Sequence, residues 1–277
     1  MIDTHVAVVA ALVVGLCVGS FINVVVHRLP KMLERRWRAD CADLAGRPAP
    51  DEPVYNLAVP RSACPACGHR ISAVENIPLV SWLALSGRCR ACKVRIPARY
   101  PLVELLGGLL AAAAIWRFGP TAQGAAACVL LWTLLALTFI DVDTQYLPDD
   151  LTLPLLWGGL IANLAGLFVP LQEAVVGAVA GYLVLWTIYW LFKLIRGKEG
   201  MGYGDFKLLG ALGAWLGWKM LPLIVLLSSA VGAVVGIALI VFRGRDHQIP
   251  LAFGPYLAAA GAIALFYGAG LSRLLLP

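Results

Sequence analysis

The chain has 277 residues, of which 60% are hydrophobic and only 14% charged, with a mean hydropathy of +0.81; this excludes an ordinary soluble domain and describes a polytopic membrane protein. The net charge of +6 does not speak for nucleic acid as a partner, because the basic residues form no compact soluble face. They read as determinants of topology and as contacts to membrane lipid.

Spans of about 20 apolar residues predict an all-α fold with about eight transmembrane helices, near 6–26, 102–118, 122–140, 151–169, 173–194, 206–218, 220–242 and 251–272. The first run has no basic residues before it and no small-x-small cleavage site at its end, so residues 1–27 read as a retained first helix. The polar segment 28–100 follows and carries much of the chain's Arg and Lys, including Arg28, Arg35, Arg38, Arg88, Lys93 and Arg99. The positive-inside rule sets this segment in the cytoplasm and the N-terminus outside. With eight spans, the loops 141–150, 195–205 and 243–250 are then also inside, and the last two carry Arg196, Lys198, Arg243 and Arg245. Residues 101–277 form the membrane domain. Its sixth span is short, as suits a helix that starts at a buried functional loop, and Leu216–Leu221 reads either as a turn or as a kink.

In the cytoplasmic segment, Cys64-x-x-Cys67 precedes Cys89-x-x-Cys92. Two such pairs can bring four thiolates to one tetrahedral metal, and Pro65 and Gly68 fit the tight turn of a zinc knuckle. Four thiolates leave no open position, so the zinc is expected to be structural. The competing reading is a pair of redox dithiols. Cys17 and Cys128 lie in apolar helices and read as small buried hydrophobes. His27 and His69 read as surface residues, with His69 a spare ligand beside Cys67. For Glu104, inside the second span, three readings stand: support of a site, pairing with Arg99, or facing the interface.

Two aspartates sit where an apolar chain should not keep them. Asp141 ends the run Cys128–Ile140, and Asp205 closes Gly202-Tyr203-Gly204-Asp205 before the next run. Two carboxylates at one membrane face are the arrangement an aspartic protease needs, one as base and one as acid. Asp143 would point elsewhere on a helix, and Asp149 and Asp150 read as helix-start residues. Asp141 lies nearest the apolar run, where lost hydration acts most strongly on a carboxylate. Gly202 and Gly204 permit an irregular backbone and close approach of an unwound peptide. Lys207 reads as a lipid-headgroup anchor, or as a charge that tunes Asp205. A transporter or channel with buried acids, and a catalytically silent assembly protein that docks through the knuckle, are the alternatives.

Several motifs in order resemble the bacterial type IV prepilin peptidases. They are Gly19-Ser20-Phe21-Ile22-Asn23 through Pro30, the cysteine pairs, Glu75-Asn76-Ile77-Pro78 with Ser81-Trp82, and Arg99-Tyr100-Pro101 with Glu104. Ile140-Asp141 through Pro148-Asp149, Gly202–Asp205 and Phe253-Gly254-Pro255-Tyr256 complete the set. The resemblance implies a bacterial inner-membrane protease of the GxGD type. Such enzymes remove a basic leader from type IV prepilins and type II secretion pseudopilins, after a Gly and on the cytoplasmic side. They then methylate the new N-terminal residue with S-adenosylmethionine. The family's catalytic pair falls on Asp141 and Asp205, and its cysteine domain, linked with metal binding and methyl transfer, falls on Cys64, Cys67, Cys89 and Cys92.

Overall fold

A computed structural model of the chain describes residues 3–48, 52–197, 201–243 and 252–275. Among these residues every regular element is helical, apart from two isolated β-bridges, Ala63–Arg70 and Arg88–Arg95. Each of the eight predicted apolar segments contains a helix, with ends that differ from those predicted. Five of the described helices are long and apolar enough to cross a membrane: α1 (Thr4–Leu44), α3 (Arg99–Phe118), α4 (Ala122–Thr144), α6 (Leu171–Arg196) and α8, within Trp218–Phe242. Helices α5 (Asp149–Leu164), α7 (Tyr203–Leu216) and the apolar part of α9, Gly254–Gly268, are shorter. The predicted inner-loop residues Lys198 and Arg245 lie outside the described residues. The chain divides into two compact units, Met1–Trp116 and Arg117–Pro277.

In the first unit, Asp3 caps α1 by accepting the His5 N–H at 3.0 Å. The helix does not stop near residue 26. It runs through Pro30 to Leu44, because Leu29 and Leu33 bury on either side of the lost backbone bond and secure the helix there. Its extension is strapped by residues 52–60. Buried Arg28 donates to the carbonyls of Asn56 (2.9 Å) and Pro60 (2.6 Å), and Arg35 stacks over Tyr55 at 4.4 Å while pairing with Glu52 at 2.8 Å. Helices α1 and α3 cross at small residues. A Cβ on Gly15 would lie 2.5 Å from the Gly107 carbonyl, and one on Gly19 2.6 Å from the Glu104 Cα, so only hydrogen atoms fit between the backbones. The short helix α2 (Val80–Ala84) lies between the two cysteine pairs.

In the second unit, α7 is the buried axis. Its residues from Asp205 to Leu216 are buried, except Lys207. Helix α6 packs on it through Gly177 and Gly181, which abut the backbone at Gly213 and Leu209. Helix α5 ends at Leu164 rather than near 169 because Asn163 turns the chain. Its side-chain oxygen accepts the N–H groups of Phe168 (3.1 Å) and Val169 (3.0 Å), and its amide donates to the carbonyls of Ala214 (2.8 Å) and Trp215 (3.0 Å) at the end of α7. Gly217, at φ +79, ends α7, and a 3-10 turn at Trp218–Met220 leads into α8 (Leu221–Arg243). The Leu216–Leu221 segment is therefore a turn. Helix α9 (Gly254–Leu275) packs against α4, α7 and α8.

Candidate active site

Asp141 lies in the last turn of α4, a helix whose apolar residues on both sides of the turn, from Leu130 to Ile140, bury in the unit's core. The helix ends at Gln145, in the left-handed region at φ 53, whose N–H donates to the Asp141 carbonyl at 2.8 Å. This ending leaves Asp141 only 4% exposed, while Asp143 is an exposed residue one strand of the helix surface away. Asp205 is the third residue of α7 and 7% exposed, and its carboxylate reaches back to the backbone N–H of the N-cap, Gly202. The two carboxylates lie close enough for the charge on Asp141 to act on Asp205.

The surroundings of the pair come from distant parts of the chain. The Gly254 N–H, at the start of α9, donates to Asp141 Oδ2 at 2.9 Å, and a Cβ on Gly254 would sit 2.7 Å from that oxygen. Leu147, 5% exposed, lies against both Gly204 and Gly254. Gly202 is exposed, with Asp205 Oδ2 4.0 Å from where its Cβ would stand, and Tyr203 is 47% exposed, with its ring 5.3 Å from Tyr189 and 5.2 Å from Phe206. The backbone at Gly202 and Tyr203 is thus exposed, whereas Gly204 is packed on Leu147.

Lys207 departs from the expected headgroup anchor. Its ammonium donates to both oxygens of Asp149 at 2.7 Å, because the fold brings the acidic first turn of α5 within its reach, in a pair that stays part-exposed. Asp149 and Asp150 do occupy the first turn of α5, as expected of helix-start acids. Gly254 was missed as a site residue by sequence reasoning. The available signal was a Gly-Pro step opening an apolar helix, which prepares a free N–H next to a tight approach.

In the first unit the four cysteines converge. Their sulfurs all lie within 4.8 Å of one another, with Cys64–Cys92 at 3.8 Å and Cys67–Cys89 at 4.0 Å. A tetrahedral zinc with Zn–S of about 2.3 Å separates its sulfurs by about 3.8 Å, so the cluster fits that ion. The two knuckles repeat one another. Cys64 N–H donates to the His69 carbonyl and Gly68 N–H to the Cys64 carbonyl, each at 2.9 Å; Cys89 N–H donates to Val94 at 2.9 Å and Lys93 N–H to Cys89 at 3.0 Å. Gly68 and Lys93 take matching left-handed conformations, at φ 71 and φ 60. Backbone N–H groups of Ala66 and Cys67 bring the Cys64 thiol down to about 7. Against the His69 N–H, the Cys92 thiol and burial push Cys67 up to about 11. His69 is not turned to the sulfurs. Its Nε2 meets the Glu75 carboxylate at 3.2 Å, which Ser72 also binds through its N–H and hydroxyl.

Glu104 accepts the Leu79 N–H at 2.8 Å, so it caps the start of α2. His27 is exposed, as expected, and meets Lys31 at 3.0 Å. Cys128 is buried, whereas Cys17 is exposed because it falls on the outer face of α1 rather than the face carrying Gly15 and Gly19.

Comparison with known proteins follows the same division of the chain. Residues 13–118 match the bacterial peptidase A24 N-terminal domain, and residues 128–237 match the type IV leader peptidase family. A prepilin leader peptidase/N-methyltransferase of Aeromonas salmonicida is 59% identical over 262 residues, which is 94% of this chain and 90% of that protein. The protein of that name from Aeromonas hydrophila is 60% identical over 94% of this chain and 90% of its own length, and that from Pseudomonas aeruginosa 57% identical over 96% and 92%. No solved structure matches the chain.

Proposed function

The chain belongs to the type IV leader peptidase family, and from that premise we propose that it is a membrane aspartic endopeptidase and N-methyltransferase. It removes the basic leader from type IV prepilins and type II secretion pseudopilins after Gly, then methylates the new N-terminal residue. The observation that carries the reading is the pair of buried carboxylates, Asp141 and Asp205, in electrostatic range of each other beside the exposed backbone of Gly202 and Tyr203.

Two carboxylates this close share a proton and titrate as a unit. The ionised member takes a proton from water, which attacks the scissile carbonyl while the protonated member gives its proton to the carbonyl oxygen; as the bond breaks, the leaving amine takes the proton drawn from water and the second carboxylate recovers its own from the collapsing diol. The backbone at Gly202–Gly204 pairs with the unwound peptide beside the carboxylates. The active site faces the cytoplasm of a bacterial inner membrane, with the N-terminus outside, in keeping with the basic residues Arg28, Arg35 and Arg38 next to the first helix.

Cys64, Cys67, Cys89 and Cys92 would hold a structural zinc, their four thiolates leaving it no place for a reacting ligand. When bound, S-adenosylmethionine would supply an electrophilic methyl group for the freed α-amino nitrogen.

Cleavage of a prepilin in detergent, with mass spectrometry of the product's N-terminus, tests this reading. Asp141→Asn and Asp205→Asn are expected to insert normally and not to cleave, and Asp143→Asn to cleave; the wild-type product gains one methyl. Cleavage by Asp205→Asn would overturn the protease assignment.

A further inference from the structure

The two carboxylates are held from different directions. Asp141 is tied to the start of α9 through the Gly254 N–H, and Asp205 to its own N-cap, Gly202. Neither bond by itself fixes their separation. One side chain lies against both the support of Asp141, Gly254, and the residue that precedes Asp205, Gly204. A Cβ on Gly204 would lie 2.7 Å from Leu147 Cβ and 3.4 Å from its Cδ1, and a Cβ on Gly254 would lie 3.2 Å from the same Cδ1. Gly204 immediately precedes Asp205, and Gly254 donates to Asp141. Leu147 therefore fills the space between the two glycines that border the reacting groups.

The loop carrying Leu147 is short, spanning from Gln145 at the end of α4 to Pro148 at the start of α5. Two residues beyond Leu147, Asp149 takes both its hydrogen bonds from Lys207, which lies two residues beyond Asp205. Tyr146, on the same loop, has its phenol in the field of Asp149, Lys207 and Asp150. The ion pair thus pins the loop to the first turn of α7 at the point where Leu147 enters.

We propose that Leu147 is a positioning residue for peptide cleavage. Its side chain, lodged between Gly204 and Gly254 and latched by the Asp149–Lys207 ion pair, sets the separation of the two reacting carboxylates. This rests on the assignment of Asp141 and Asp205 made above. Truncating a leucine only 5% exposed costs stability in either case; what marks a leucine that spaces the carboxylates is a loss of kcat in the folded enzyme, since small displacements of reacting groups are costly.

The test measures kcat, KM and thermal melting for cleavage of a prepilin by wild type, Leu147→Ala, Leu147→Met, Lys207→Met and Asp205→Asn in detergent. Leu147→Ala is expected to lower kcat by about 10- to 100-fold with KM within about threefold of wild type. Leu147→Met, which keeps the volume, restores most of the lost kcat, and Lys207→Met falls between them. An unchanged kcat in Leu147→Ala overturns the proposal, as does a loss expressed in KM alone. If Leu147→Ala does not fold, the decision passes to Lys207→Met, where wild-type kcat overturns it. Activity in Asp205→Asn would instead overturn the protease assignment itself.

Discussion

Gly254 gives its backbone N–H to Asp141 Oδ2 at 2.9 Å, across 113 residues of sequence, at a position where a Cβ would stand 2.7 Å from the same oxygen. Any side chain at 254 must push the carboxylate or the start of α9 aside. Gly254→Ala is therefore expected to lower kcat for prepilin cleavage by about 100-fold while the protein still inserts. Single-turnover cleavage in detergent checks this, and wild-type kcat would show that Asp141 needs no fixed place.

Removal of the metal is expected to separate the two activities. Cys64→Ser and Cys89→Ser should lose the zinc, seen as about one equivalent per chain by elemental analysis of the wild type. Methylation of the cleaved product should fall with the zinc, while leader removal continues. Equal loss of both activities would mean that the ion supports the whole chain's folding.

Glu75 provides a pH dependence with a defined sign. The N–H and hydroxyl of Ser72, with His69 adding, hold it at about 2 against an ordinary value of 4.5. A carboxylate so depressed contributes stability that is fully present above about 4.5 and is lost as pH falls towards about 2. Hydrogen-exchange protection of residues 61–96 should thus be greater in wild type than in Glu75→Gln at pH 7, and the gap should close below about pH 4.5. Comparing the two proteins cancels the loss of metal in acid. A gap that is constant across this range would remove Glu75 from the account.

Asn163 holds the other end of the buried axis. At 2% exposed it makes four hydrogen bonds, to Ala214, Trp215, Phe168 and Val169. Asn163→Leu leaves those groups unpaired, and the expected loss is about 3 kcal/mol. Chemical denaturation in mixed micelles, followed by circular dichroism, measures it.

The parts of this protein legible in the sequence are those set by local pattern. Length and apolarity located each membrane-length helix, the spacing of Cys64, Cys67, Cys89 and Cys92 announced a four-sulfur cluster, and two acids bordering apolar runs drew attention to Asp141 and Asp205. Each depends on residues near one another in the chain or on the cost of a charge in an apolar setting. Tertiary structure decided the partners. The local pattern of α1 did not show that the helix continues through Pro30, since that depends on what Leu29, Leu33 and the strap at 52–60 bury against. Lys207 looked like a lipid anchor until the fold brought Asp149 within 2.7 Å. Gly254 and Leu147 carried no charge to betray them, and their place beside the carboxylates exists only because α4, α7 and α9 converge there. A side chain's type states what it can bind, but packing between distant helices settles which group is within reach.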